Sequence, residues 1–246
     1  MNRYMKADFY RIFGRVSRYI TLAVLFVAFG AFLYVVSDGS TPYELVETLT
    51  KAMNIAICPV FALVEYGVVY SDDMKAKTMQ IAIGTGISRK KVIFTKWLEI
   101  VILTALDVIV VLGIAFVISI LRGSVFSGEP LRDVFVLTGF SLLKVAGAAA
   151  ITSILLFRTM NATLGLVLFI LSAFGILYFL ASALVTIGPL EALHLDQYLF
   201  TSFLEAAKSR AVIGTFSIPH FAGIAAYLAA FYLLACLAFK KVELDF

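Results

Sequence analysis

The sequence predicts an all-α integral membrane protein with six transmembrane helices, and three observations carry that expectation. The chain has 246 residues, 62% of them hydrophobic, with a mean hydropathy of +1.00. A soluble domain of this length cannot bury so much apolar surface, because only a fraction of its residues can be core. Charged residues make up 15%, well below the roughly 25% of soluble proteins, and they cluster between apolar runs. Those runs are each close to or above the roughly 20 residues that a helix needs to cross a bilayer.

The spans fall at about 19–36, 52–70, 92–121, 134–157, 161–187 and 219–239. The third and fifth are long enough to tilt or to extend beyond the membrane surface. No linker separates them, so the chain reads as a single transmembrane domain. Before the first span, MNRYMKADFYRIFGRVSRY is too long and too amphipathic for a signal-peptide leader, and the first span is expected to be retained. Met5, Phe9, Ile12, Phe13, Val16 and Ile20 form one stripe at helical spacing, with Asp8, Arg11, Arg15 and Arg18 opposite. This pattern predicts an N-terminal amphipathic interfacial helix whose basic residues meet anionic lipid on the inner surface.

The basic residues also set the orientation. With the N-terminus inside, fourteen of the 20 Lys and Arg lie in cytoplasmic segments and five in outer ones, and Lys144 lies within a span. That bias predicts a multi-pass cell-membrane protein with both termini cytoplasmic. It also accounts for the net charge of +4 without nucleic acid as a partner. Between spans five and six, 188–218 is amphipathic, with Leu190, Leu193, Leu199, Phe203 and Leu204 at roughly helical spacing. It predicts a short outer helical segment lying on or dipping into the outer leaflet.

Two charged residues stand inside spans, Asp107 in the third and Lys144 in the fourth. Each costs roughly 2.5–3.5 kcal/mol near the bilayer centre if unpaired. Counted from the outer ends, their depths differ by about 6 Å at 1.5 Å per residue, which a lysine stem can cover. They are expected to pair or to face one polar cavity. Glu65 and Glu99, near the inner ends of spans two and three, are expected to hold the angle of the intervening loop. Pro59 is expected to kink span two by freeing the carbonyl of Ile55. Gly139, Ser141 and Ala146 to Ala150 in span four read as a close helix-packing face, a candidate for a dimer contact or for the wall of a path.

The loop after span two, 72–91, holds a helix start at Ser71-Asp72-Asp73. A turn follows at Gly84-Thr85-Gly86, and Ser88 is placed to cap the next helix. A helix, a tight turn and a second helix would project a compact basic knob. This stretch resembles the first cytoplasmic loop of permease subunits of type-2 ABC exporters. The matching residues are Asp72, Asp73, Lys75, Lys77, Thr78, Gly86, Ser88, Arg89, Lys90 and Lys96. The six-span layout and the outer segment before the last span are also similar. The resemblance implies that the loop is a coupling helix docking on a separate ATPase subunit, through Asp72, Asp73, Lys75, Lys77, Ser88, Arg89 and Lys90. It further implies a dimer of permease chains with two ATPases, the ATP and Mg being held by those partners.

No Gly-x-x-x-x-Gly-Lys-Ser/Thr phosphate loop occurs in the sequence, so the chain is not expected to be an enzyme or to hold a cofactor. His194 and His220 lack any metal-ligand spacing, and Cys58 and Cys236 read as small buried hydrophobes. What the resemblance implies is an exporter permease, and the apolar character of the chain favours an amphipathic or hydrophobic cargo, with antimicrobial or cytolytic peptides a common case in the resembled family. Two alternatives stand beside it. One is an ATP-independent secondary transporter using the Asp107/Lys144 pair, and the other is a bacteriocin-immunity membrane protein.

Overall fold

Gly14 and Arg15 interrupt what the sequence reads as one N-terminal helix. In the computed structural model, which describes residues 2–75, 78–123, 128–187, 193–240 and 242, α1 (Asn2–Phe13) ends there and α2 (Val16–Val36) begins. Arg18 therefore belongs to the first long apolar helix and not to an interfacial one. The stripes are also divided differently from expectation. Asp8, Ile12 and Arg18 are buried against the protein, while Tyr10, Phe13, Val16 and Ile20 face outward. Against lipid the exposed surface is the apolar one, so the charges turn inward to meet partners.

The described residues are helical and contain no strand. Five helical stretches are long and apolar enough to cross a membrane: Val16–Val36, Pro42–Tyr70, Arg89–Leu121, Glu129–Thr159 and Ile218–Lys240. A sixth qualifies if Ala162–Ala173 and Ile176–Val185 are counted together, but that pair is bent by 67°. Gly175 takes a positive φ of 84° at the break, a conformation that glycine adopts without steric cost. The fifth apolar run is thus two short helices, α9 (Ala162–Ala173) and α10 (Ile176–Val185), in place of one continuous helix.

The second span starts ten residues earlier than its hydropathy indicates. Thr41-Pro42-Tyr43-Glu44 forms a capping box, in which the Thr41 side chain accepts from the Glu44 N–H and Glu44 accepts from the Thr41 N–H at 2.9 Å. With Pro at the first helical position, this fixes the start of α3 (Pro42–Ala52). The span then passes through a π turn at Met53–Ile57, α4 (Cys58–Tyr66) and a second π turn at Gly67–Ser71. At the first π turn the Cys58 N–H bonds Met53 O. Pro59, five residues beyond Asn54, has no N–H to complete the next bond of that type.

The span leads into α5 (Asp72–Lys75) and α6 (Thr78–Gly84). The bonds Gly86 N–H to Ile83 O and Ile87 N–H to Ala82 O close the end of α6, with Gly86 at φ 97°. This is the left-handed glycine stop that the Gly-Thr-Gly run called for. Next comes α7 (Arg89–Leu121), about 50 Å long at 1.5 Å per residue. Ser88 sits at its N-cap with extended backbone, but its side chain makes no capping bond.

α8 (Glu129–Thr159) is the hub, packing on α7, α9, α3, α11 (Phe200–Val212) and α12 (Ile218–Lys240). Its small-residue run makes this possible, because Ala146 to Ala150 are buried within the chain. α11 lies antiparallel to α8. Its C-terminal Val212 carbonyl accepts from Arg132 at 2.9 Å, while Phe200 at its start packs on Gly147. A Cβ at Gly147 would sit 2.5 Å from the Phe200 ring. Gly147→Ala should therefore cost about 1–3 kcal/mol of stability by overpacking, read as a lowered thermal midpoint. Phe200→Leu in the same chain should recover part of it, and an unchanged midpoint in Gly147→Ala would refute the contact.

Candidate functional site

The buried charges gather where α1, α2, the end of the second span and α7 meet. Lys96, on the first turns of α7, is fully buried. It meets Asp8 of α1 at 2.5 Å, Asp73 of α5 in close contact, and Glu99 one turn along α7 at 3.4 Å. Arg11 bridges the same two aspartates, donating to Asp8 at 3.1 Å and pairing closely with Asp73. Thr78 at the start of α6 donates to Asp73 at 2.7 Å. Three carboxylates and two cations thus join three helices, and the Thr78 hydroxyl ties in a fourth. Lys96 also lies 5.9 Å from the centre of the Tyr4 ring. Burial, reinforced by the Asp8 and Asp73 carboxylates, pushes the Tyr4 phenol above its ordinary value, so the ring covers the cluster as a neutral group.

A second cluster lies deeper. Arg18 of α2 donates to both carboxylate oxygens of Glu65 at 2.8 and 3.1 Å, a charge-assisted pairing of the strong kind. It also reaches Asp107 of α7 at 3.5 Å. All three are at most 4% exposed. One guanidinium therefore ties three helices together, and it does so between two carboxyl groups. Asp107 and Lys144 are not brought together. Their depths were compatible, but Asp107 lies on the face of α7 that meets α2 and α4, whereas Lys144 points from α8 toward α3. Lys144 donates to the backbone carbonyl and the side-chain Oδ1 of Asn54 at 3.3 and 3.4 Å. It meets the carbonyl beside the π turn that Pro59 leaves without an N–H. The proline's effect thus lands on Asn54, where the sequence pointed to Ile55.

The loop residues divide in two. Asp73 is 1% exposed and is committed to the inner cluster, so it is no docking surface. Arg89 holds the end of α12, donating to the carbonyls of Phe239 and Val242 at 2.5 and 2.8 Å and stacking over the Phe239 ring at 5.0 Å. This matches the preference of a cation for a helix C-terminus. Ser88, Lys90 and Lys91 are exposed beside the Gly84–Gly86 turn. Lys77 and the side chains of Asp72 and Lys75 lie outside the described residues. Of the three arginines assigned to an interfacial helix, Arg11 and Arg18 are engaged in the clusters, and Arg15 sits at the break between α1 and α2.

Two of the clefts that adjoin these elements have walls that bear on function. One, of about 420 Å³, is apolar and lies between α7, α8 and α12, with Phe94, Trp97 and Tyr232 among its walls. The other, of about 210 Å³, opens between α3, α8 and α11 and is lined by both polar and apolar groups. Sequence reasoning named the charged members of both clusters but assigned them to an interfacial helix, a docking loop and an Asp107/Lys144 pair, without bringing them together. It missed Asn54, whose only signal was an amide five residues before a proline. No protein-family model matches the chain and no curated protein is significantly similar to it.

Proposed function

We propose that the chain is the membrane-spanning subunit of an ATP-driven exporter of the type-2 ABC kind, six-spanning, with both termini cytoplasmic. It works as a dimer with separately encoded ATPase subunits. The observation that carries this reading is the inner ionic cluster. Through Asp73, Lys96, Asp8 and Arg11 it locks α1, the α5–α6 loop and the foot of α7 into one unit. A loop clamped in this way transmits a push, whereas a solvated loop dissipates it. Movement of the 72–91 knob is carried through Lys96 into α7 and through Arg11 into α1. The Arg18–Glu65–Asp107 cluster couples α7 to the first two spans. Alternating access then follows from rocking of the spans around a central path. The apolar cleft and the composition support an amphipathic or hydrophobic cargo, and an antimicrobial or cytolytic peptide fits that chemistry.

The test is purification of the tagged chain from its native membranes in mild detergent, with mass spectrometry of what accompanies it. A stoichiometric ATPase is expected, held through the exposed Ser88, Lys90 and Lys91. The Ser88→Ala, Lys90→Glu, Lys91→Glu variant should lose at least about 90% of it, because reversing surface charge costs several kcal/mol at a complementary interface. Arg89 is left intact, since it holds α12. A chain that purifies alone, with transport that survives ATP depletion, would favour a carrier driven by an ion gradient.

A further inference from the structure

The cleft between α3, α8 and α11 has an unbalanced charge at its inner end. Its rim carries two ion pairs, Lys51 with Glu47 on α3 at 2.6 Å and Lys208 with Glu205 on α11, and these cancel. Asn54 and Ser141 lie further in on the same walls. Behind Asn54 stands Lys144, one helical turn after Ser141 on α8. Among the described residues the Lys144 ammonium, with its three donors, hydrogen-bonds the two neutral oxygens of Asn54, both at long range, and feels the Glu205 carboxylate across the cleft. No carboxylate lies within 4 Å of it among the described residues. Ile55, Leu137, Phe140 and Leu204 supply the apolar walls. Asn54 is about 18 Å along the helix from Pro42, at 1.5 Å per residue, and the contacts of Lys144 there are part-buried.

We propose that Lys144 and Asn54 form the inner anchor of a binding site for the acidic head of an amphiphile, a carboxylate or a phosphate with an apolar tail. The head enters past the rim pairs and takes the ammonium from the weak Asn54 contacts. Its tail lies along Phe140 and Leu204 toward the lipid, because a cleft of about 210 Å³ holds a head group and not a whole lipid. The same chemistry is offered by an anionic phospholipid of the bilayer and by a single-chain amphiphile arriving from outside. The site belongs to this chain alone and does not depend on how the chain is energised.

The experiment is native mass spectrometry of the full chain in neutral micelles, titrated with phosphatidylglycerol, with phosphatidylcholine as the uncharged-head control, and with dodecyl phosphate. Binding of either anionic probe at least tenfold tighter than phosphatidylcholine is expected, with at least a tenfold loss in Lys144→Met and recovery in Lys144→Arg. Phosphatidylglycerol alone would identify a bilayer lipid as the occupant, and dodecyl phosphate alone a soluble amphiphile. Asn54→Asp guards against a folding artefact. It supplies Lys144 with a built-in carboxylate, so the thermal midpoint should hold or rise while anion binding falls at least tenfold. Equal binding of anionic and neutral probes, or anion binding undiminished in Lys144→Met and Asn54→Asp, overturns the proposal.

Discussion

Replacing Lys96 by Met should destabilise the protein by about 3–5 kcal/mol, the range found when one partner of a buried ion pair is removed and the other charge remains. Three carboxylates, Asp8, Asp73 and Glu99, converge on this ammonium, and all are at most 8% exposed. With Lys96 gone, Arg11 still meets Asp8 and Asp73 but does not contact Glu99. The loss is expected in thermal unfolding of the purified chain and in the yield of folded protein. It is attributable to charge and not to lost packing if Asp73→Asn and Glu99→Gln, added to Lys96→Met, recover most of the midpoint. That triple variant leaves a balanced Asp8–Arg11 pair one turn apart on α1. If it stays as unstable as Lys96→Met, the ionic account fails. The recovered variant also tests coupling, because the link between the α5–α6 loop and α7 is then cut in a folded protein. Under the exporter reading its partner ATPase should still bind, and transport should fall.

Much of this arrangement is legible in the sequence, for a physical reason. Lipid makes hydropathy a direct record of which segments are buried in it, so the apolar helices and the glycine stop at Gly86 read off plainly. Charged residues inside such runs stand out because each is expensive there. What the sequence lacks is azimuth. The depths of Asp107 and Lys144 along their helices are well determined by counting, but the face each turns toward is set by which neighbours pack against it. Arg18 illustrates a second failure. Three residues into α2, it looks like one more interfacial arginine, and only the break at Gly14 separates it from α1. The start of the second span was hidden because Glu44, Glu47 and Lys51 dilute its hydropathy, although Thr-Pro-Tyr-Glu carried the capping signal. The bend at Gly175 left no trace beyond one glycine, since the flanking sequence is apolar apart from Ser172 and Ser182.

The second large effect is expected at Arg18. Its guanidinium lies between Glu65 and Asp107, at 2.8 Å from the first and 3.5 Å from the second. Arg18→Met leaves two buried carboxyl groups facing each other with no cation. The expected cost is about 3–5 kcal/mol, against less than about 0.5 kcal/mol for Arg158→Met at an exposed position. Arg18→Lys should recover only part of it, because a single ammonium cannot reproduce the spread of a guanidinium that sets Nε against Glu65 and Nη2 toward Asp107. The discriminating variant is Arg18→Met with Glu65→Gln and Asp107→Asn, which removes every charge in the cluster at nearly constant volume. A midpoint close to the parent would show that the cluster contributes little net stability, as buried ion networks often do. The charges would then be retained for something other than folding, and under the exporter reading that is transmission between α7 and the first two spans. Such a protein should fold, bind its partner ATPase and hydrolyse ATP at the partner, with transport reduced at least about tenfold. If the neutral triple variant transports as well as the parent, the deeper cluster plays no part in coupling, and the push from the loop must travel through Lys96 and α7 alone.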